Sequence, residues 1–168
     1  MTTLQEPTPY LYVASSWRNT WYPLVVKMVR AAAAAAGADE PDFGVYDFRA
    51  ADGGFRWTEV DPEWESWTTE QYRTALRHPA AERGWRNDKG ALDAATACLL
   101  VGPCGRSAHL ELGYAAGRGL PCAIFLPEAQ EPELMYRFAA DILTDGTEVV
   151  EWATNVFARQ IAAAVRSG

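Results

Sequence analysis

The sequence predicts an α/β protein: one domain with a doubly wound, five-stranded parallel sheet and helices on both of its faces. Three observations carry this. Short, uniformly apolar runs alternate with helical patterns along the chain. The runs lack the in–out alternation of a half-solvated antiparallel strand, so both of their faces are covered. The chain also has 168 residues, 49% hydrophobic and 22% charged, which suits a single core.

Leu11–Ala14 is the first strand, broken by Ser15-Ser16. From Thr20 the pattern turns helical, with Leu24, Val25, Met28, Val29 and Ala32 on one face. Six alanines, Ala31 to Ala36, favour that helix and Gly37 stops it. Phe43–Phe48 is the second strand. Residues 49–87 keep no simple period and form an aromatic-rich excursion, with one helix opened by Thr68 or Thr69 and ended before Pro79. Asp88–Ala95 is a further helix and Cys98–Val101 the third strand. Ser107 caps a helix that runs to Gly117 and Gly119. Cys122–Leu126 is the fourth strand, Glu131–Ile142 a helix, and Thr147–Val150 the fifth strand. Val156, Phe157, Ile161 and Val165 mark the closing amphipathic helix. Five parallel strands of this kind make a flavodoxin-like or Rossmann-like sheet, in which ligands sit outside the carboxyl ends of the strands.

Charge and composition narrow the function. With 15 Lys and Arg against 22 Asp and Glu, the net charge of −7 speaks against a nucleic-acid polymer or a membrane surface as partner. Cys98, Cys104 and Cys122 leave one cysteine over and show no Cys-x-x-Cys spacing, so neither a disulfide framework nor a zinc site is expected. Two histidines, His78 and His109, lack metal-ligand spacing, so no metal is expected, and no cofactor is expected either. Met1–Pro9 lacks the order of a signal peptide, and no apolar run nears the ~20 residues of a membrane span. A cytoplasmic protein is expected.

Two post-strand segments carry chemistry. Ser15-Ser16-Trp17-Arg18-Asn19 brings hydroxyls, an amide and a guanidinium to a helix N-terminus, where orphan N–H groups and the helix dipole favour an anion. A capped helix start with a solvated arginine accounts for the same residues, and Gly-x-Gly-x-x-Gly is absent. The second segment, Gly102 to Gly113, contains Gly105, Arg106 and Ser107 at a helix start, then His109 and Glu111. A carboxylate at Glu111 opposes anion binding unless it addresses a cationic centre, such as an oxocarbenium-like sugar carbon. Its bland role is to complement the helix dipole. Asp88 and Asp93 could add a second carboxylate or belong to a solvated face. His109 reads as a ligand contact or a structural residue. Cys104, near a helix N-terminus, is a lesser candidate nucleophile without a partner histidine at a known spacing.

These residues resemble a family. Asp88, Cys98-Leu99-Leu100-Val101, Glu111-Leu112-Gly113-Tyr114-Ala115 and Gly119-Leu120-Pro121, with Tyr12-Val13-Ala14-Ser15-Ser16, are similar to the nucleoside 2-deoxyribosyltransferase-like superfamily. That superfamily includes deoxynucleoside monophosphate N-glycosidases and CMP hydrolases. Leu120 stands where the family has a lysine, and the usual glycine of the first loop is absent. The resemblance implies that Glu111 attacks C1′ of the sugar and that Asp88 protonates or orients the departing base. It places Ser15, Ser16, Arg18, Asn19, Gly105, Arg106 and Ser107 around a phosphate. It implies that Glu133-Leu134-Met135 reaches a neighbouring subunit's site, hence a homodimer or larger homo-oligomer.

Seven tryptophans are present, and Trp57, Trp64, Trp67 and Trp85 lie in the excursion. They could stack and cover a nucleobase, or fill a satellite core under a long loop. The expected activity is cleavage or transfer of the N-glycosidic bond of a nucleoside 5′-monophosphate or deoxynucleoside. A non-catalytic nucleotide sensor and an NAD-cleaving hydrolase are the alternatives.

Overall fold

In the computed structural model, which describes residues 8–37, 43–50 and 54–167, the apolar runs form one parallel sheet. Its strands are β1 (Tyr10–Ala14), β2 (Gly44–Tyr46), β3 (Ala97–Val101), β4 (Cys122–Phe125) and β5 (Asp141–Leu143), in the order β2-β1-β3-β4-β5. The helices are α1 (Tyr22–Ala35), α2 (Thr69–Ala75), α3 (Pro79–Ala94), α4 (Arg106–Gly117) and α5 (Gly146–Ser167). The α/β class and the five parallel strands are as the sequence predicts, and of the two sheet types it allows, the strand order is the flavodoxin-like one.

The chain divides into two compact units, one of residues 1–46 and 94–168, the other of residues 47–93. In the first, β3 and β4 are wholly buried, as continuous apolar strands covered on both faces must be. Ala14 pairs with Leu100 and Val101 with Phe125, so β1, β3 and β4 end level at their carboxyl edge. Pro23 sits in the first turn of α1, where a missing N–H costs nothing. Val25, Val29 and Ala32 face the core as expected, joined by Val26, whereas Leu24 is exposed. Gly37 ends α1 at φ +83°, the left-handed conformation glycine adopts without strain. α1 packs chiefly on α5.

Several elements differ from expectation. The second strand is shorter than Phe43–Phe48. The helix placed at Asp88 starts at Pro79. Gly105, not Ser107, occupies the N-cap of α4, without a side-chain cap. The expected helix over Glu131–Ile142 is a single 3-10 turn, Leu134–Phe138, followed by β5. The expected strand Thr147–Val150 is instead the first turns of α5, because the Asp145 carboxylate accepts from the N–H groups of Thr147 (2.8 Å) and Glu148 (3.0 Å) and starts the helix there.

The second unit has its own small aromatic core. Trp57 meets Phe55, Trp67 and Tyr72 edge-on, with ring centroids at 4.8, 5.6 and 5.7 Å. Trp67 Nε1 donates to Asp61 at 2.7 Å, and Thr68 opens α2 through a reciprocal capping box with Gln71. A Cβ on Gly84 would stand 2.4 Å from Phe55 Cβ, so that glycine lets α3 close on the aromatic cluster.

Candidate active site

The strand order reverses between β1 and β3, and the loops that leave these two strands stand side by side there. They are stitched together. Ser15 Oγ donates to the carbonyl of Val101 at 2.8 Å. Buried Asn19 donates through Nδ2 to Val101 O (3.1 Å) and Pro103 O (3.0 Å), while its Oδ1 accepts from the N–H groups of Trp21 (2.7 Å) and Tyr22 (3.1 Å). One amide therefore joins the loop after β3 to the start of α1. Ser16 Oγ accepts from Arg18 N–H, and the Arg18 side chain is exposed. Arg106 and Ser107 open α4 on the exposed side.

Glu111 is half-buried on α4, about one and a half turns below that opening. Its charge is felt by two thiols. Burial first, and then the Glu111 carboxylate, push the Cys104 thiol up to about 11. Glu111 also contributes to raising Cys98, whose main cause is its hydrogen bond with Cys122 across the β3–β4 pair. A thiol raised in this way stays protonated at neutral pH, and His109 Nδ1, although 3.8 Å from Cys104 Sγ, is engaged with the Gly105 carbonyl at 2.8 Å, which disfavours Cys104 as a nucleophile.

His109 is held at both ends. Nδ1 lies 2.8 Å from the carbonyl of Gly105, which can only accept, so Nδ1 carries a proton. Nε2 lies 2.9 Å from the Tyr136 hydroxyl, and the two rings stack at 5.7 Å. Tyr136 belongs to the 3-10 turn after β4, and its hydroxyl is raised by burial first, then by Cys104 and Glu133. Glu133 accepts from Met135 N–H, and Met135, Leu134 and Phe138 project their apolar side chains into solvent. Trp21 Nε1 reaches Glu128 at 3.5 Å, bringing the loop after β4 alongside the entry to α1.

Ser15, Asn19, Gly105, Arg106 and Ser107 lie in the segments that leave the carboxyl ends of β1 and β3, and His109 and Glu111 follow within α4. Sequence reading missed Tyr136, whose segment it took for a regular helix. Asp88 and the four tryptophan candidates lie in the second unit. Asp88 is half-buried on α3, Trp57 and Trp67 belong to the aromatic core, Trp64 is half-buried, and Trp85 is 64% exposed. Among the described residues no group of three His, Cys, Asp or Glu is placed to hold a metal ion, and no helix is long and apolar enough to cross a membrane.

No family model and no curated protein matches the sequence. Solved structures do match. Among them is the 2-deoxyribosyltransferase of the psychrotolerant bacterium Bacillus psychrosaccharolyticus, at 18% identity and TM-score 0.50, covering 84% of this chain and 90% of that one. The chain has the nucleoside 2-deoxyribosyltransferase-like fold. At this identity the deoxyribosyltransferase likeness is one of architecture.

Proposed function

We propose that the protein cleaves or transfers the N-glycosidic bond of a nucleoside 5′-monophosphate or deoxynucleoside. Glu111 attacks C1′, the C1′–N bond breaks as the base leaves with a proton, and a glycosyl ester forms. Water or a second base then displaces Glu111. The proton for the base is assigned to Asp88 by the family resemblance. Ser16, Arg18 and the Gly105-Arg106-Ser107 start of α4 receive the phosphate, which favours a monophosphate and hydrolysis, while Ser15, whose hydroxyl donates to Val101, holds the first loop in place. Asn19 maintains the loop that carries them.

The observation that supports this most is the Glu111 carboxylate itself. It is half-buried behind the switch point of the sheet, and its charge raises a neighbouring thiol. The neighbouring structure is described as a 2-deoxyribosyltransferase used to synthesise nucleosides, and its fold is shared over most of this chain. The exposed Leu134, Met135 and Phe138 suit a segment that meets a second copy, so a homodimer or larger homo-oligomer belongs to the same proposal.

A panel of nucleosides and 5′-monophosphates, followed chromatographically for free base, tests it. The wild type should release base, and Glu111→Gln should fold normally and release none. Base release by Glu111→Gln at the wild-type rate sinks the proposal. Light scattering of the purified protein should show an oligomer.

A further inference from the structure

Several polar side chains around the carboxyl ends of β1, β3 and β4 are committed to a partner, and the Arg18 and Arg106 side chains are exposed. Ser15 donates to Val101, Asn19 holds four backbone groups, His109 bridges Gly105 and Tyr136, and Glu128 accepts from Trp21. Gln130 differs. Its Nε2 is buried and has no hydrogen-bond partner. It lies over Gly102, where a Cβ would stand 2.6 Å from Nε2 and 3.0 Å from Leu126 Cδ2. The missing side chain of Gly102 is what makes room for the amide.

A buried amide without a partner costs stability, and native proteins rarely keep one without a use. Its terminal torsion has a broad minimum, so the N–H groups can turn to meet an incoming acceptor beside Gly102. Gly102 begins the loop that leads into the N-terminus of α4, the place where an anionic or hydroxyl oxygen is best received. We infer that Gln130 is a specificity-determining residue, seated by Gly102, that donates to an oxygen on the sugar-phosphate side of the ligand. The inference rests on the proposed function for the identity of that ligand.

The test compares wild type, Gln130→Met, Gln130→Glu and Gly102→Ala on a deoxynucleoside and its 5′-monophosphate, with KM, kcat and melting temperature measured for each. Gln130→Met should melt at the wild-type temperature or about 2–4 °C above it, because an unpaired buried group is removed. Its KM should rise about tenfold with a smaller change in kcat. A rise for the monophosphate alone assigns the contact to phosphate. A rise for both substrates assigns it to the sugar. Gln130→Glu should weaken the monophosphate most, and Gly102→Ala should reproduce the loss by displacing the amide. KM values within twofold of wild type for both substrates, with Gln130→Met folded, overturn the inference. If the wild type binds a monophosphate without releasing base, the proposed reaction fails while the calorimetric Kd of the same variants still decides the role of Gln130. A wild type that neither binds nor cleaves overturns both.

Discussion

Asn19→Ala removes the one amide that joins the loop after β3 to the entry of α1. The amide makes two donations to carbonyls and two acceptances from N–H groups, and the residue is 4% exposed. The acceptances act as a helix cap, worth about 1 kcal/mol. Each donation contributes about 1 kcal/mol. Val101 O keeps its bond from Ser15, so relaxation there is partly provided, and Pro103 O is left to find a new partner. The total loss comes to about 3 kcal/mol, equivalent to a fall of roughly 6–12 °C in melting temperature for a domain of this size. Urea denaturation monitored by far-ultraviolet circular dichroism measures it directly. Asn19→Asp separates the two halves of the amide. The carboxylate can still accept from Trp21 and Tyr22, yet it turns an oxygen toward two carbonyls about 3 Å away. At neutral pH it should therefore be less stable than Asn19→Ala, and acidification that protonates the carboxyl should narrow the gap. An Asn19→Ala loss below about 1 kcal/mol, or an Asn19→Asp protein more stable than Asn19→Ala at neutral pH, would refute the reasoning.

Two further outcomes are expected. The rate of Cys104 alkylation by iodoacetamide, followed by mass spectrometry against pH, should titrate with a midpoint near 11, and Glu111→Gln should move that midpoint down while burial keeps it above an ordinary thiol. An unmoved midpoint would detach Glu111 from that pocket. In the second unit, the Trp67 indole N–H and the Glu63 backbone N–H hold the Asp61 carboxyl below its usual range. A depressed carboxyl adds stability that is present above its unfolded value and lost as pH falls through the folded one. Trp67→Phe should raise the Asp61 titration toward the ordinary aspartate range in a carbon-detected NMR experiment, and no change would show that the indole bond does not form in solution.

The parts of the fold that could be read were those where burial alone decides the residue type. β1, β3 and β4 are covered on both faces, so Leu11–Ala14, Cys98–Val101 and Cys122–Phe125 stand out as unbroken apolar runs. Gly37 and Gly119 mark helix ends because their backbones are left-handed there. The stretch after β4 resisted reading because it obeys tertiary pairing rather than its own pattern. Leu134, Met135, Phe138 and Ile142 have helical spacing, yet all four are exposed, and only Leu143 of β5 is buried. The strand exists because Asp141–Leu143 pairs with Ala123–Phe125 at the edge of the sheet. Thr147-Glu148-Val149-Val150 shows the opposite conflict. Two valines favour a strand, and the Asp145 cap together with burial of Val149 on the core side of α5 wins for the helix.

The same limit governs the candidate site. Ser15, Asn19, His109 and Gln130 are all polar residues in or beside post-strand segments, and the sequence gives no means to rank them. Distances do. Asn19 has both its donors and its acceptor occupied by backbone, so its use is to fix the geometry of the crevice, and a ligand would have to displace a cap to reach it. Ser15 has donated its proton to Val101 and can only accept, so toward a phosphate it offers nothing as a donor unless that bond is broken. That shifts the work of receiving an anion to the groups with exposed N–H capacity, the start of α4 and the Arg18 and Arg106 side chains, with Gln130 as the amide still uncommitted. The acidic excess of the chain is compatible with this, because a single phosphate needs only local donors in a polar crevice, whereas a polymer would need a cationic face.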